Sequence, residues 1–251
     1  MDKSSPIYVI TGATGGIGGA LCRRLARRGA RLALAARGEE RLQRLAGELD
    51  AFSIPLDVSA PGEMERLFQA TADEFGRIDG AVNCVGSFLI KPAHLTSHEE
   101  FEQTFALNAA TAFAMVRAAA NHMQDGSVVL LSSVAATTGL ANHEAISAAK
   151  GAVAALTRSA ATSYAPRGLR FNAVAPGLVE TRMTERVTRS EASRRASTEL
   201  HPLGRLGKPE DIASVIEWLL SPEQSWITGQ VIGVDGGLSS LHPMPRRSPR
   251  S

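Results

Sequence analysis

The feature that most constrains this chain is an alternation kept up from end to end, in which a short apolar run is followed by a helical stretch. "IYVIT" precedes "GGALCRRLARRGA", "RLALAA" precedes "EERLQRLAGEL", and "FSIPLDV" precedes "PGEMERLFQATADEFG". "DGAVNCVG" leads into "SHEEFEQTFALNAATAFAMVRAAANHM", and "SVVLLSS" into the helix that carries Lys150. "LRFNAVAPG" and "GQVIGVDGG" complete seven runs. Most are apolar on both faces, as strands of a parallel sheet covered on both sides must be. Right-handed crossovers between them give a doubly wound, seven-stranded α/β fold.

The punctuation agrees. Ser59 and Pro61 are expected to open one helix, and Gly29 and Gly76 to close two others. No shift of composition marks a linker, so residues 1–241 read as one domain. Residues 179–206 are polar, rich in arginine and threonine, and poor in strand character. Between two core elements this stretch is expected to form a helical lid over the ligand cleft.

Composition removes several alternatives. The 251 residues, 44% of them hydrophobic, suffice for one large soluble domain. There is no internal repeat, no apolar run near the start longer than a few residues, and no later stretch that approaches a membrane span. Cys22 and Cys84 read as small buried hydrophobes in a reducing compartment, and the six histidines show no ligand spacing. The expectation is a cytoplasmic protein without a metal or a membrane partner. The net charge of +2 includes Arg246, Arg247 and Arg250; without them the rest carries −1. A basic, proline-rich tail over 242–251 with no interleaved aromatics predicts disorder and no nucleic-acid partner.

"TGATGGIG", residues 11–18, follows the first apolar run directly and opens the first helix. Gly12, Gly16 and Gly18 let the backbone turn tightly and approach a pyrophosphate, with Thr14 and Ile17 between them. The helix N-terminus beyond offers free N–H groups and a positive dipole end. The second strand ends at Ala36, and Arg37 follows at once. An acid there would bind a free ribose 2′-hydroxyl, whereas arginine accommodates a 2′-phosphate, so NADP(H) is favoured over NAD(H). Glu39 and Glu40 fit the first turn of a helix instead. Asp57 and Val58 close the third run, and Asn83 to Gly86 the fourth, at the carboxyl ends where the ligand crevice of such a sheet forms.

With these motifs in order, the chain resembles the classical short-chain dehydrogenase/reductase family over essentially its whole length. "TGATGGIG" looks like that family's cofactor loop, "LDVS" its adenine-side acid, and "NCVG" its strand-four motif. "FALNAAT" supplies the helix asparagine at Asn108, "VVLLSS" the catalytic-serine position at Ser133, and "AAKGAV" the lysine at Lys150. "APGLVET", containing Pro176, Gly177, Val179 and Thr181, matches the segment that closes on the nicotinamide. The resemblance implies a Rossmann-type fold, hydride transfer to or from a carbonyl carbon, and a homo-oligomer, a tetramer or dimer, in which the small-residue helix around Lys150 packs on its counterpart.

The resemblance breaks at one place. The family's proton donor is a tyrosine four residues before the lysine, where helical spacing lets the ammonium lower the phenol's pKa from about 10. Here that position is Ile146, and the family's serine-to-tyrosine spacing from Ser133 reaches the same residue. Tyr8 and Tyr164 are the only tyrosines, one in the first strand and one at the far end of the Lys150 helix. His143 is the candidate replacement acid, and would share a face with Ile146 and Lys150 if the helix began early. Glu144 fits an ion pair better, and Ser147 a packing position. The leading expectation is an NADP(H)-dependent oxidoreductase of a small carbonyl, alcohol or imine-like substrate with an atypical proton donor. The rivals are a cofactor-binding regulator or scaffold without redox turnover, and a lyase or isomerase using the same pocket.

Overall fold

A computed structural model describes residues 5–241. The basic tail over 242–251 lies outside the described residues. One sheet holds seven strands in the order β3-β2-β1-β4-β5-β6-β7, and every pairing is parallel. They are β1 (Ile7–Thr11), β2 (Arg31–Ala36), β3 (Phe52–Pro55), β4 (Gly80–Asn83), β5 (Gly126–Leu131), β6 (Leu169–Pro176) and β7 (Val231–Val234). All five residues of β1 are buried, which is why its sequence shows no polar face.

Helices cover both sides. α1 (Gly16–Arg27), α2 (Glu39–Leu49) and α9 (Pro209–Leu220) bury Leu21, Leu42 and Ile216 against Ile10, Leu34, Val129 and Val174. On the other face, α3 (Glu63–Phe75), α5 (Thr111–His122) and α6 (Glu144–Tyr164) bury Phe68, Met115 and Val153 against Val9, Val128 and Phe171. The neighbours Val9 and Ile10 therefore feed opposite cores, the period of two expected of a strand. Strand order reverses between β1 and β4, and the loops beyond these two strands open the crevice.

Some boundaries differ from the sequence reading. β3 stops at Pro55, so Asp57 and Val58 sit in the turn beyond it rather than at the strand end. Ser59 does not cap α3; its N–H and Oγ both bind Asp57 Oδ1, at 3.0 and 2.6 Å. Gly62, left-handed at φ 83°, holds the cap position instead. Gly29 and Gly76 follow α1 and α3 with φ near 80°, as expected of C-terminal glycines.

The long helix expected across residues 98–123 is interrupted. α4 (His98–Phe105) passes into a π-helical segment, Ala106–Ala110, before α5 begins. A capping box of Ser97 and Glu100 fixes its start. The excursion between β6 and α9 contains α7 (Glu185–Thr188) and α8 (Glu191–Glu199). It is pinned at its base by a parallel bridge of Val179 to Gly207, with Glu180 N–H donating to Gly207 O at 2.9 Å. Among the described residues no helix is long and apolar enough to cross a membrane.

Candidate functional site

The crevice has two compartments. The first, about 540 Å³, runs from the β1–α1 loop to the end of β2. Its walls include Gly12, Thr14, Gly16, Ile17, Gly18, Arg37, Asp57, Val58 and Gly86, all singled out from the sequence. The glycines leave room that no other residue would. A Cβ on Gly12 would meet the Cys84 carbonyl at 2.8 Å, and one on Gly18 the Gly12 oxygen at 2.3 Å. One on Gly16 would strike the Thr181 side chain at 2.7 Å. Gly15 occupies the N-cap of α1 without any side-chain cap, and the first turn holds no acid. An uncapped, acid-free helix N-terminus behind a glycine cradle fits a pyrophosphate.

At the far end, Arg37 and Arg41 both line the groove. Arg41 escaped the sequence reading, although it lies one helical turn beyond Arg37. The Arg37 guanidinium stands 3.9 Å from Asp57, and both side chains are largely exposed. Hydrogen bonds from Ser59 hold the Asp57 carboxyl below its usual pKa. Glu39 and Glu40 are occupied along α2, accepting from Gln43 and Arg44 at 2.9 and 2.8 Å.

Asn83 does not line either compartment. It is buried at the end of β4, accepts from Thr11 Oγ1 at 2.7 Å and donates to Thr111 Oγ1 at 3.0 Å. Its work is to tie β1, β4 and α5 together beneath the crevice.

The second compartment, about 550 Å³, is mostly apolar and shares Ile17, Cys84, Val85, Gly86, Thr181 and Met183 with the first. Ser133, His143, Ile146, Lys150, Pro176, Gly177 and Val179 line it, so the structure gathers residues from three separate segments. Neither Tyr8 nor Tyr164 reaches it. Tyr8 is buried in β1, and the Tyr164 ring packs on Phe171 at 5.6 Å between centroids. Glu144 and Ser147 are absent from its walls as well, and Glu144 is exposed.

Ser133 follows β5, and its Oγ accepts from Ala135 N–H at 3.2 Å. Ile146, 3% exposed, presents an apolar side chain to the cavity. His143 sits at the N-cap of α6, behind Asn142 in a left-handed turn at φ 63°. Asn tolerates that conformation better than other non-glycine residues. The helix therefore starts one residue too late to include His143. Its Nδ1–H donates to Ala141 O at 2.7 Å, and its ring meets Phe88 edge-on at 6.4 Å.

Lys150 is buried, and its Nζ donates to Leu131 O at 2.7 Å. Burial pushes its pKa down to about 8, with a small opposing effect from Cys84. Burial likewise raises the Cys84 thiol to about 12, so it stays protonated. Asn108 lies in the π-helical segment, donates to Thr104 O at 2.8 Å and Ser87 Oγ at 2.9 Å, and accepts from Ser87 N–H at 3.3 Å. A Cβ on Gly86 would fall 2.8 Å from Asn108 Oδ1 and 3.4 Å from Lys150 Nζ. Gly86 thus lets the asparagine and lysine pack closely behind it, although only Lys150 reaches the cavity and Asn108 lines neither compartment.

One further residue had no signal in the sequence. His201, at the end of the excursion, is 4% exposed and lines the cavity. Its Nδ1–H donates to Ser197 O at 2.7 Å, and Nε2 accepts from Leu178 N–H at 3.2 Å. It fastens α8 to the end of β6. No group of three or more His, Cys, Asp or Glu able to hold a metal ion occurs among the described residues.

A glycine-lined groove at the switch point of such a sheet is the architecture of a dinucleotide-binding protein. Comparison with known proteins agrees. The family model described as enoyl-(acyl carrier protein) reductase matches residues 12–239. The chain is 34% identical to the 3-oxoacyl-(acyl-carrier-protein) reductase FabG of Vibrio cholerae, covering 95% of this chain and 99% of that protein. It is 33% identical to a tropinone reductase homolog of Arabidopsis thaliana, covering 92% and 91%. A short-chain type dehydrogenase/reductase from Mycobacterium ulcerans superposes with a TM-score of 0.89 at 31% identity, over 93% of this chain and 90% of that one. ElxO, solved with NADP bound, gives 0.88 at 27% identity, over 94% and 100%. The chain belongs to the short-chain dehydrogenase/reductase family of nicotinamide-dependent oxidoreductases.

Proposed function

We propose that the protein is an NADP(H)-dependent oxidoreductase acting on a small carbonyl, alcohol or imine-like substrate without the usual tyrosine. The observation that carries this reading is the continuity of the two compartments, with Ser133 and Lys150 in the wall of the apolar one beside Ile146. Two relatives named as reductases and a neighbour with NADP bound support it. Arg37 and Arg41 offer two guanidiniums to a 2′-phosphate, the anion that distinguishes NADP from NAD.

A nicotinamide dinucleotide held in the glycine-lined groove would supply or accept the hydride. The chain's own part is to orient the substrate and manage its proton. Ser133 Oγ can donate to a substrate oxygen, while Ile146 leaves that oxygen one donor short. An unmet hydrogen bond in a buried site costs about 1–3 kcal/mol. His143 is the acid we assign, since Ala141 holds its Nδ1–H and Nε2 can carry a proton. An imine, protonated before hydride arrives, makes the smallest demand on that acid. The excursion over residues 179–206 serves as the lid, with Met183, Val187 and Leu200 against the substrate.

The assembly we propose is a homo-oligomer, tetramer or dimer, through α6, whose outer face carries exposed Ala148 and Ala155, with Phe101, Phe105 and Phe113 exposed on neighbouring α4 and α5. A lone monomer in light scattering would rule it out. Two free cysteines fit a reducing compartment such as the cytoplasm. The catalytic reading is tested by NADPH oxidation on activated ketones, diketones and cyclic imines. Turnover lost in His143→Ala supports it; tight NADPH binding with no turnover on any substrate favours the cofactor-binding alternative, which Ile146 itself motivates.

A further inference from the structure

The lysine raises a question that hydride transfer does not answer. A lysine in this family's position ordinarily stands beside a phenol. Here Lys150 stands beside Ile146, and no ion pair to it exists among the described residues. Its nearest titratable neighbour, Cys84, stays a neutral thiol. Among the described residues Nζ makes one hydrogen bond, donated to Leu131 O, which a neutral amine makes as well as an ammonium. In its neutral form the amine has a lone pair at the cavity wall, and bare Gly86 keeps the approach open, since a Cβ there would crowd Nζ at 3.4 Å.

We propose that Lys150 is a carbonyl-capturing nucleophile, forming an imine with a small uncharged ketone lodged in the apolar cavity. The amine nitrogen adds to the ketone carbon, and one N–H proton passes to the oxygen. A second proton from solvent lets that oxygen leave as water as the carbon–nitrogen double bond closes, and the remaining N–H stays on the protonated imine. No electrons are exchanged with a cofactor. The protonated imine draws density from the adjacent C–H bond, whose proton leaves to solvent and returns from it, so α-hydrogens exchange. Desolvation is a recognised way of activating a lysine for such chemistry, and the depressed basicity of Lys150 agrees with it.

The inference is separate from the redox reading, because capture needs no nicotinamide. Nicotinamide-free protein would be incubated with pentane-2,4-dione or cyclohexanone, then with cyanoborohydride, and the stable amine located by peptide mapping. Lys3, Lys91 and Lys208 serve as internal controls. At neutral pH, labelling of Lys150 should exceed that of each of them by at least about tenfold, its neutral fraction being roughly 300-fold larger and its burial slowing access. Ile146→Tyr should lower capture several-fold by giving the amine a phenol partner. Labelling spread evenly over the lysines, or unchanged in Ile146→Tyr, would overturn the proposal. Lys150→Arg should abolish the selective label; should that variant not fold, the map of the wild type still decides.

Discussion

The two compartments of the crevice are built in different ways. The floor of the dinucleotide groove is a matter of backbone, because at Gly12 and Gly18 a Cβ would strike main chain at 2.8 and 2.3 Å. The substrate cavity is a matter of side chains, contributed by loops and helix starts that meet only in the fold, among them Phe88, Ser133, Ile146, Met183 and Leu200. Changing the first means moving main chain. Changing the second means exchanging one side chain for another. A fold so arranged can exchange a cavity side chain, such as Ile146, and still keep its cradle.

The sharpest way to probe this contrast is Ile146→Tyr. The cradle and Lys150 are intact, so ketone reduction with NADPH should rise by about 10²–10⁴-fold, the usual contribution of a placed general acid. No gain would mean that the cavity, and not the missing phenol, limits the reaction.

Lys150→Met tests the energetic side of the cavity. The folded pKa of Lys150 is about 8, below its ordinary 10.5, so between these values the unfolded chain binds the extra proton and wild-type stability rises with pH. Below that window the buried ammonium carries its full penalty. At 1.36 kcal/mol per pKa unit, less the hydrogen bond to Leu131, the variant should gain on the order of 2 kcal/mol at neutral pH. Thermal melts of the cofactor-free protein should show the gain shrinking to nothing by alkaline pH. A gain independent of pH would sink the explanation.

In the groove, Gly18→Ala should cost about 1–3 kcal/mol of dinucleotide binding or stability by overpacking against the Gly12 carbonyl. Calorimetry would detect either loss. Arg37→Ala and Arg41→Ala should each weaken NADPH by about three- to tenfold, the range for solvent-exposed charge contacts, and leave NADH unchanged. Equal loss of both nucleotides would remove the 2′-phosphate assignment.

The same contrast explains what could be read from the sequence. Seven apolar runs, the glycine loop and Arg37 are local signals, each tied to its neighbours by a turn or strand end. They placed the sheet and the groove. Arg41 needed only the phase of α2 to be followed one turn further. Gly62 displaced Ser59 as a cap because Asp57 captures the serine, a competition between side chains that composition does not reveal. Asn83 looked like a ligand residue and is instead a brace, since strand ends point both into and beneath the crevice. His201 could not be foreseen, as its two hydrogen bonds join partners 4 and 23 residues away across an irregular excursion. The cavity was legible in part, through Ser133, the α6 residues and the segment from Pro176 to Thr181, whereas Phe88, Met183 and Leu200 belong to no motif.

The π-helical segment at Ala106–Ala110 has a consequence of its own. A π turn contains one residue more than the α turn it replaces, so it behaves as a lasting single-residue insertion. Deleting any one of those five residues would let α4 and α5 fuse into an unbroken α-helix, and one side would rotate about 100° relative to the other. Either Asn108 would swing away from Gly86 and Ser87, or Met115 and Val116 would turn out of the core. Neither compensates for the other, because both are fixed by the same turn. This part of the chain is therefore held to a count as well as a composition.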